Sequence, residues 1–212
     1  MRPRILLADD HRLVVEGLKK LIETECDIVG SVANGRDLVA TARELRPDIV
    51  LLDIAMPLLN GIEAARQIKA ENPSVKLIFL TMQTNREYVR EAFEIGASGY
   101  VAKLEAASDL ISAIKHVYAG RFALSPSLSE QLLGHQIEPH QNPAKLFGVL
   151  TPRQREVLQL VAEGKSAKQI ADLLFISVKT VEFHKKHLME ELRLHSSAEL
   201  VRYAVEQGWV HS

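Results

Sequence analysis

Along the first 120 residues, apolar positions follow two rhythms. Short unbroken apolar runs such as Ile49-Val50-Leu51-Leu52 and Leu77-Ile78-Phe79-Leu80 show no polar alternation. Strands buried on both faces of a parallel sheet read this way. Between the runs, apolar residues recur at helical spacing. The pattern predicts strands over 4–9, 27–33, 49–53, 76–81 and 99–103, and helices over 11–25, 35–45, 60–71, 85–95 and 107–119. Strict alternation with short loops predicts a doubly wound, five-stranded parallel sheet with right-handed crossovers, two helices on one face and three on the other. The expected strand order is 2-1-3-4-5, which makes the first and third strands neighbours.

The rhythm changes after Gly120. Ser125-Pro126-Ser127 can open a short helix through Leu133, but residues 134–143 (GHQIEPHQNP) hold two prolines and almost nothing to bury, as linkers do. His135 and His140 lie in this stretch with no second pair of ligands and read as solvated. From Leu150 onward the pattern is all helical. Thr151-Pro152 caps a helix ended by Gly164, 168–174 is a short second helix, Ser177 caps a third over 178–192, and Ser196 or Ser197 opens a fourth running to Gly208. A short helix, a tight turn and a longer helix form a helix-turn-helix. The expected division is a sheet domain over 1–121, a linker over 122–148 and a small all-α domain of four helices over 149–212.

The strands of the sheet share a chemical feature at their carboxyl ends. The first ends in Asp9-Asp10, the third in Asp53, the fourth in Thr81 and the fifth in Lys103. In open α/β sheets that edge is where ligands and chemistry sit. Any one of these residues can be a strand end or a helix cap, but three acids, a hydroxyl and an ammonium together describe a site. A cluster of carboxylates repels itself and at neutral pH takes up protons or a hard cation, Mg²⁺ being the likelier guest, held by Asp9 or Asp10 with Asp53. Asp53 is then a candidate nucleophile toward phosphorus, with Lys103 and Thr81 as donors to the phosphoryl oxygens. A dinucleotide site is disfavoured because the turn after the first strand has two acids and no glycine. A phosphatase with a strand-end aspartate nucleophile would want a second acid two residues on, where Ala55 stands.

Composition narrows the setting. The net charge of −1 gives no global basic footprint, so nucleic-acid binding must rest on a local surface. No membrane span or signal segment is apparent, and the single cysteine, Cys26, cannot form an intramolecular disulfide. A reducing cytoplasm is the expected compartment.

Asp9-Asp10, Asp53 with Met56-Pro57 and Asn60-Gly61, Thr81, Tyr100 and Lys103 together resemble the receiver domain of two-component response regulators, whose sheet is flavodoxin-like, as in CheY. The resemblance covers residues 3 to 120. It implies that Asp53 accepts phosphate from a sensor histidine kinase with Mg²⁺, and that Thr81 and Tyr100 form the switch that reports it. Leu104 stands where many receivers have proline or serine, and Met82 where small residues are common.

On the third helix of the carboxy-terminal half, a turn of ~100° per residue puts Val181, Leu188 and Leu192 on one stripe, with His184 beside them. Lys179, Glu182, Phe183, Lys186 and Glu190 fall on the opposite stripe. An outward phenylalanine among charges wants a partner such as a thymine methyl, while Lys and Glu can read guanine and cytosine. Lys185 and Thr180 lie where they can meet phosphates. The segments 150–158 and 177–184, with Ile170-Ala171 and Leu192, closely resemble the LuxR/NarL-type DNA-binding domain, in which 178–189 is the recognition helix. By the same resemblance the last helix, with Leu200, Val201, Ala204 and Val205, is a dimerisation surface, and His187 stands where asparagine is frequent. The reading is a non-enzymatic, dimeric transcription regulator whose phosphorylation controls binding to an inverted-repeat operator.

Overall fold

A computed structural model of the chain describes residues 2–104, 107–133 and 150–210. Residues 134–143, with His135 and His140, lie outside the described residues. Five strands, β1 (Arg4–Ala8), β2 (Asp27–Val32), β3 (Ile49–Leu52), β4 (Lys76–Thr81) and β5 (Gly99–Ala102), alternate with helices α1 (Arg12–Ile22), α2 (Gly35–Leu45), α3 (Gly61–Glu71), α4 (Arg86–Ile95) and α5 (Ala107–Tyr118). All pairings are parallel. The expected five-stranded sheet needs one correction. A sixth strand, β6 (Ala123–Leu124), pairs with Gly99 and Tyr100, giving the order 2-1-3-4-5-6. Two residues are too few to show a period, and this strand forms because β5 would otherwise leave its edge amides and carbonyls unpaired. Helix α6 (Pro126–Leu133) follows, so chain assigned to the start of the linker over 122–148 adds to the sheet instead.

Successive side chains of a strand point to opposite faces. Ile5, Leu7, Ile49, Leu51, Ile78, Leu80 and Val101 therefore pack on α1 and α5, through Val15, Ile22, Leu110, Ile114 and Val117. Leu6, Ala8, Val50, Leu52, Leu77 and Phe79 pack on α2, α3 and α4, through Leu38, Ile62, Ile68, Tyr88 and Ala92. Two helices thus cover one face and three the other, as expected. Asn34, Asn60 and Asn85 each cap the following helix by accepting a backbone N–H three residues on.

The carboxy-terminal unit comprises α7 (Pro152–Ala162), α8 (Ala167–Leu174), α9 (Val178–Leu192) and α10 (Ser197–Glu206). Thr151 and Ser166 each form a reciprocal capping box, with Gln154 and Gln169. The apolar residues of this unit, among them Val157, Leu158, Leu160 and Trp209, are continuous with the core on the α2–α3–α4 face of the sheet. The two units are therefore docked. Among the described residues no helix is long and apolar enough to cross a membrane.

Candidate functional site

The site stands at the carboxyl edge of β1, β3, β4 and β5, where each strand stops and its last side chain meets a crevice. The Asp53 amide donates to Ala8 O (2.9 Å), and that contact sets Asp53 beside Asp9. Both carboxylates are buried. The Lys103 ammonium lies 2.5 Å from Asp53 Oδ2 and 2.7 Å from Asp9 Oδ2. Burial alone would lower the Lys103 pKa, but the Asp53 charge first and Asp9 after it outweigh burial and hold it above the ordinary lysine value. The other Asp53 oxygen, Oδ1, accepts the Ile54 amide at 2.6 Å.

Asp10 is half-buried and does not cap α1. His11 takes the cap position, with its amide donating to Asp9 Oδ1 (2.9 Å). One ligand atom each from Asp9, Asp10, His11 and Asp53 falls within 4.8 Å of the others. Asp10 Oδ1 is enclosed with no aligned hydrogen-bond donor, only the His11 ring 2.8 Å away. Three converging carboxylates suit a hard divalent cation, for which oxygen donors are preferred. Sequence reasoning missed His11 as a member of this cluster. Its position directly after the acid pair was the available signal.

Thr81 is fully buried at the end of β4, and its Oγ1 accepts the Gln83 amide at 3.2 Å. Its carbonyl accepts the Lys103 amide at 3.0 Å, which fixes the two strand ends side by side. The Tyr100 ring is also fully buried, 5.8 Å from Phe79, and its hydroxyl donates to Gln83 O at 2.6 Å. Gln83 thus joins Thr81 to Tyr100. Met82 and Leu104, at the rim, are largely exposed.

In the helical unit, α9 divides its faces as its periodicity requires. Val181 and Leu188 are buried, whereas Lys179, Glu182, Phe183, Lys186 and Glu190 are exposed. Thr180 and Lys185 are half-buried at the edges; Lys185 is 3.5 Å from Glu182 and Thr180 Oγ1 is 2.8 Å from the Ser177 hydroxyl. Phe183 stacks at a tilt on His187, ring centres 4.1 Å apart. Two further exposed apolar side chains near the start of α9 were missed: Phe175, 92% exposed at a left-handed φ of 54° where α8 ends, and Val178. On α10, Leu200 and Ala204 are buried and Val201 packs half-buried against the same core, so of the four residues expected on a dimerisation surface Val205 is the exposed one.

The least expected polar contacts lie between the units. From α7, the buried Gln159 amide donates to Met56 O (2.8 Å) and accepts from the Asn60 amide (2.8 Å). One turn on, Glu163 accepts the Leu58 amide (2.9 Å). One turn back, Arg155 pairs with buried Glu63 at 2.5 Å. Arg155, Gln159 and Glu163 recur every four residues along α7 and its C-cap, and that spacing was the available signal. Arg66 completes the charge cluster, 2.9 Å from Glu91. Burial raises the Glu63 carboxyl above its ordinary range, and pushes Glu91 to about 7 despite Arg155 and Arg66.

Residues 5–115 match the response regulator receiver domain family, and residues 148–204 match the LuxR family of bacterial regulatory proteins. The transcriptional regulatory protein MctR of Rhizobium johnstonii is 35% identical over 209 residues, 98% of this chain and 95% of that protein. The response regulator RcsB of Salmonella typhimurium superposes over 97% of this chain and 98% of its own, at 28% identity and a TM-score of 0.66. An RcsB–DNA complex matches over the same shares with a TM-score of 0.59.

Proposed function

The chain belongs to the two-component response regulators that join a receiver domain to a LuxR-type DNA-binding domain, and from that membership we propose that Asp53 is its phosphoryl acceptor. As a member it is a regulator of transcription. The observation that carries the acceptor reading is the Lys103 ammonium held between Asp53 and Asp9 at the sheet edge. The donor is a phosphohistidine of a sensor kinase. An Asp53 oxygen attacks phosphorus, the P–N bond breaks as the O–P bond forms, and the imidazole leaves with the electron pair and takes up a proton. Lys103 turns its charge from the carboxylate to the phosphoryl oxygens, and the Thr81 hydroxyl donates to one of them. Asp9, Asp10 and Asp53 would hold Mg²⁺, which when bound offsets negative charge on the incoming phosphoryl group. Asp53→Asn should abolish Mg²⁺-dependent labelling by a small phosphodonor while the far-UV dichroism stays unchanged. Undiminished acid-labile label would move the acceptor elsewhere.

The output is sequence-specific DNA binding in the cytoplasm through α9. Its face is open to solvent in the docked arrangement. Lys179, Glu182, Phe183 and Lys186 meet base edges in the major groove, while Lys185 and Thr180 meet phosphates. The open side of α10, with exposed Val205 and half-buried Val201 at its edge, pairs two copies about a two-fold axis. That symmetry makes the operator an inverted repeat. The RcsB–DNA complex supports this reading for a relative of the same architecture.

A further inference from the structure

Where the two units meet, α2, α3 and α7 border a cleft of about 320 Å³, a volume suited to a small ligand. None of Asp9, Asp10 and Asp53 lines it, and neither does any residue of α9. Val39, Ala40 and Leu59 give it an apolar lining, and three arginines, Arg36 and Arg43 from α2 and Arg153 from α7, reach it. Their charges are not equally answered. Arg43 has Glu71, which accepts from its Nε at 2.8 Å. Arg153 has Glu156 Oε2 at 2.8 Å and also donates to Leu174 O at 2.6 Å. Arg36 has no carboxylate of its own. Its one ion-pair contact among the described residues is that same Glu156 Oε2, 4.0 Å away and already taken by Arg153. The Arg36 Nε is enclosed and has no hydrogen-bond partner among the described residues. A half-buried guanidinium in this condition bears the cost of desolvation without the hydrogen bonds that offset it.

We propose that this cleft binds a small organic phosphate, a monoester with a short carbon skeleton. The side of the Arg36 fork that holds Nε matches two phosphate oxygens at once, and a third oxygen remains for Arg43 or Arg153. A carboxylate, with two oxygens in one plane, serves cations on several sides less well. Around the cleft, Arg36, Arg43 and Arg153 outweigh Glu71 and Glu156 by one positive charge, so an anion entering on the Arg36 side meets net attraction. Glu156 would repel it, which sets the phosphate away from that carboxylate and the carbon skeleton against Val39, Ala40 and Leu59. No aromatic side chain lines the cleft, so a nucleobase has nothing to stack on. Arg36 and Arg43 belong to the receiver and Arg153 to the helical domain, so the site is complete only while the two are docked, and its ligand favours that arrangement by mass action. The site needs neither Asp53 nor Mg²⁺ and stands apart from the acceptor reading.

The test titrates glycerol 3-phosphate into the full chain by calorimetry, in Tris buffer free of Mg²⁺. One equivalent should bind with a Kd of about 1 mM or tighter, and glycerol should not bind. Arg36→Ala should weaken binding roughly tenfold or more, because a charge-assisted bidentate contact is lost. Arg36→Lys keeps the charge without the fork and should recover only part of the loss. Ala40→Glu adds a carboxylate at an exposed lining position, should also weaken binding, and decides the matter if the Arg36 variants do not fold. Lys179→Ala, on the exposed face of α9, should bind as the wild type does. Trp209, the one tryptophan and a buried one, should become no more open to acrylamide quenching on saturation. A rise would mean that the ligand parts the domains, against the bridging site. Absence of saturable binding up to ~10 mM overturns the proposal, as does equal binding by wild type, Arg36→Ala and Ala40→Glu. Loss of binding in Lys179→Ala would place the phosphate on α9 and overturn it too.

Discussion

Replacing Arg155 by methionine should open the interface between the two domains. In the wild type, Glu63 is 1% exposed and has Arg155 at 2.5 Å, with Arg66 at 3.8 Å on its own helix. Removing one partner of a buried pair typically costs ~3–5 kcal/mol, because the remaining charge is left in a poorly polarisable surrounding. Arg66 offsets only part of that, since it already serves Glu91. The chain has an escape. If the helical domain lifts away, Glu63 regains water, so the cost appears as lost docking rather than as lost folding of either unit. Urea unfolding followed by far-UV dichroism should therefore broaden or split into two transitions, with Trp209 quenching rising at zero urea. The double variant Arg155→Met/Glu63→Met should recover most of the loss, because replacing both members of a buried pair by apolar residues is often near neutral. A single sharp transition at the wild-type midpoint in Arg155→Met, with Trp209 still shielded, would refute the reasoning.

Stability should fall as pH rises from about 4.5 to 7. Glu91, raised to about 7 chiefly by burial, binds more protons folded than unfolded in that window; the difference amounts to at most about 3 kcal/mol and stays constant above it. Urea midpoints at pH 5 and 7.5 measure it, and an unchanged pH slope in Glu91→Gln would rule Glu91 out. Thr81→Ala should still accept phosphate but respond poorly, since the Gln83 amide loses the hydroxyl that couples it to the site. Wild-type gains in DNA affinity on phosphorylation of that variant would contradict the switch. Phe183→Ala should cost about 1–3 kcal/mol at one base position of each half-site, whereas Lys185→Ala should weaken binding to all DNA alike and lower the salt slope by about one. Titrations with single-base operator variants over a salt series distinguish the two, and the opposite pattern would mean that the faces of α9 are exchanged.

Much of this molecule is written in short-range pattern. The run Ile49-Val50-Leu51-Leu52 forms β3 because four adjacent apolar residues need two covered faces, and Asp53 marks its end because a charged side chain does not continue such a strand. Asn34, Asn60, Thr151 and Ser177 begin helices where a side-chain oxygen can serve a free amide. The same local geometry sorts α9 into its faces, so that Val181 is buried and Phe183 exposed. Tertiary structure alone decided what depends on partners far along the chain. Lys103 could have stood free at a strand end; only the parallel register of β1, β3, β4 and β5 brings its ammonium onto Asp53 and Asp9 together. Ala123 and Leu124 have no strand pattern and pair because β5 offers them an edge. Leu200 and Ala204 face inward because α7 lies against that side of α10, a choice that helical spacing leaves open. Gln159 shows the limit most plainly: its amide is buried against Met56 and Asn60, about a hundred positions earlier, and no periodicity within α7 can name the partner of a polar side chain on the opposite domain.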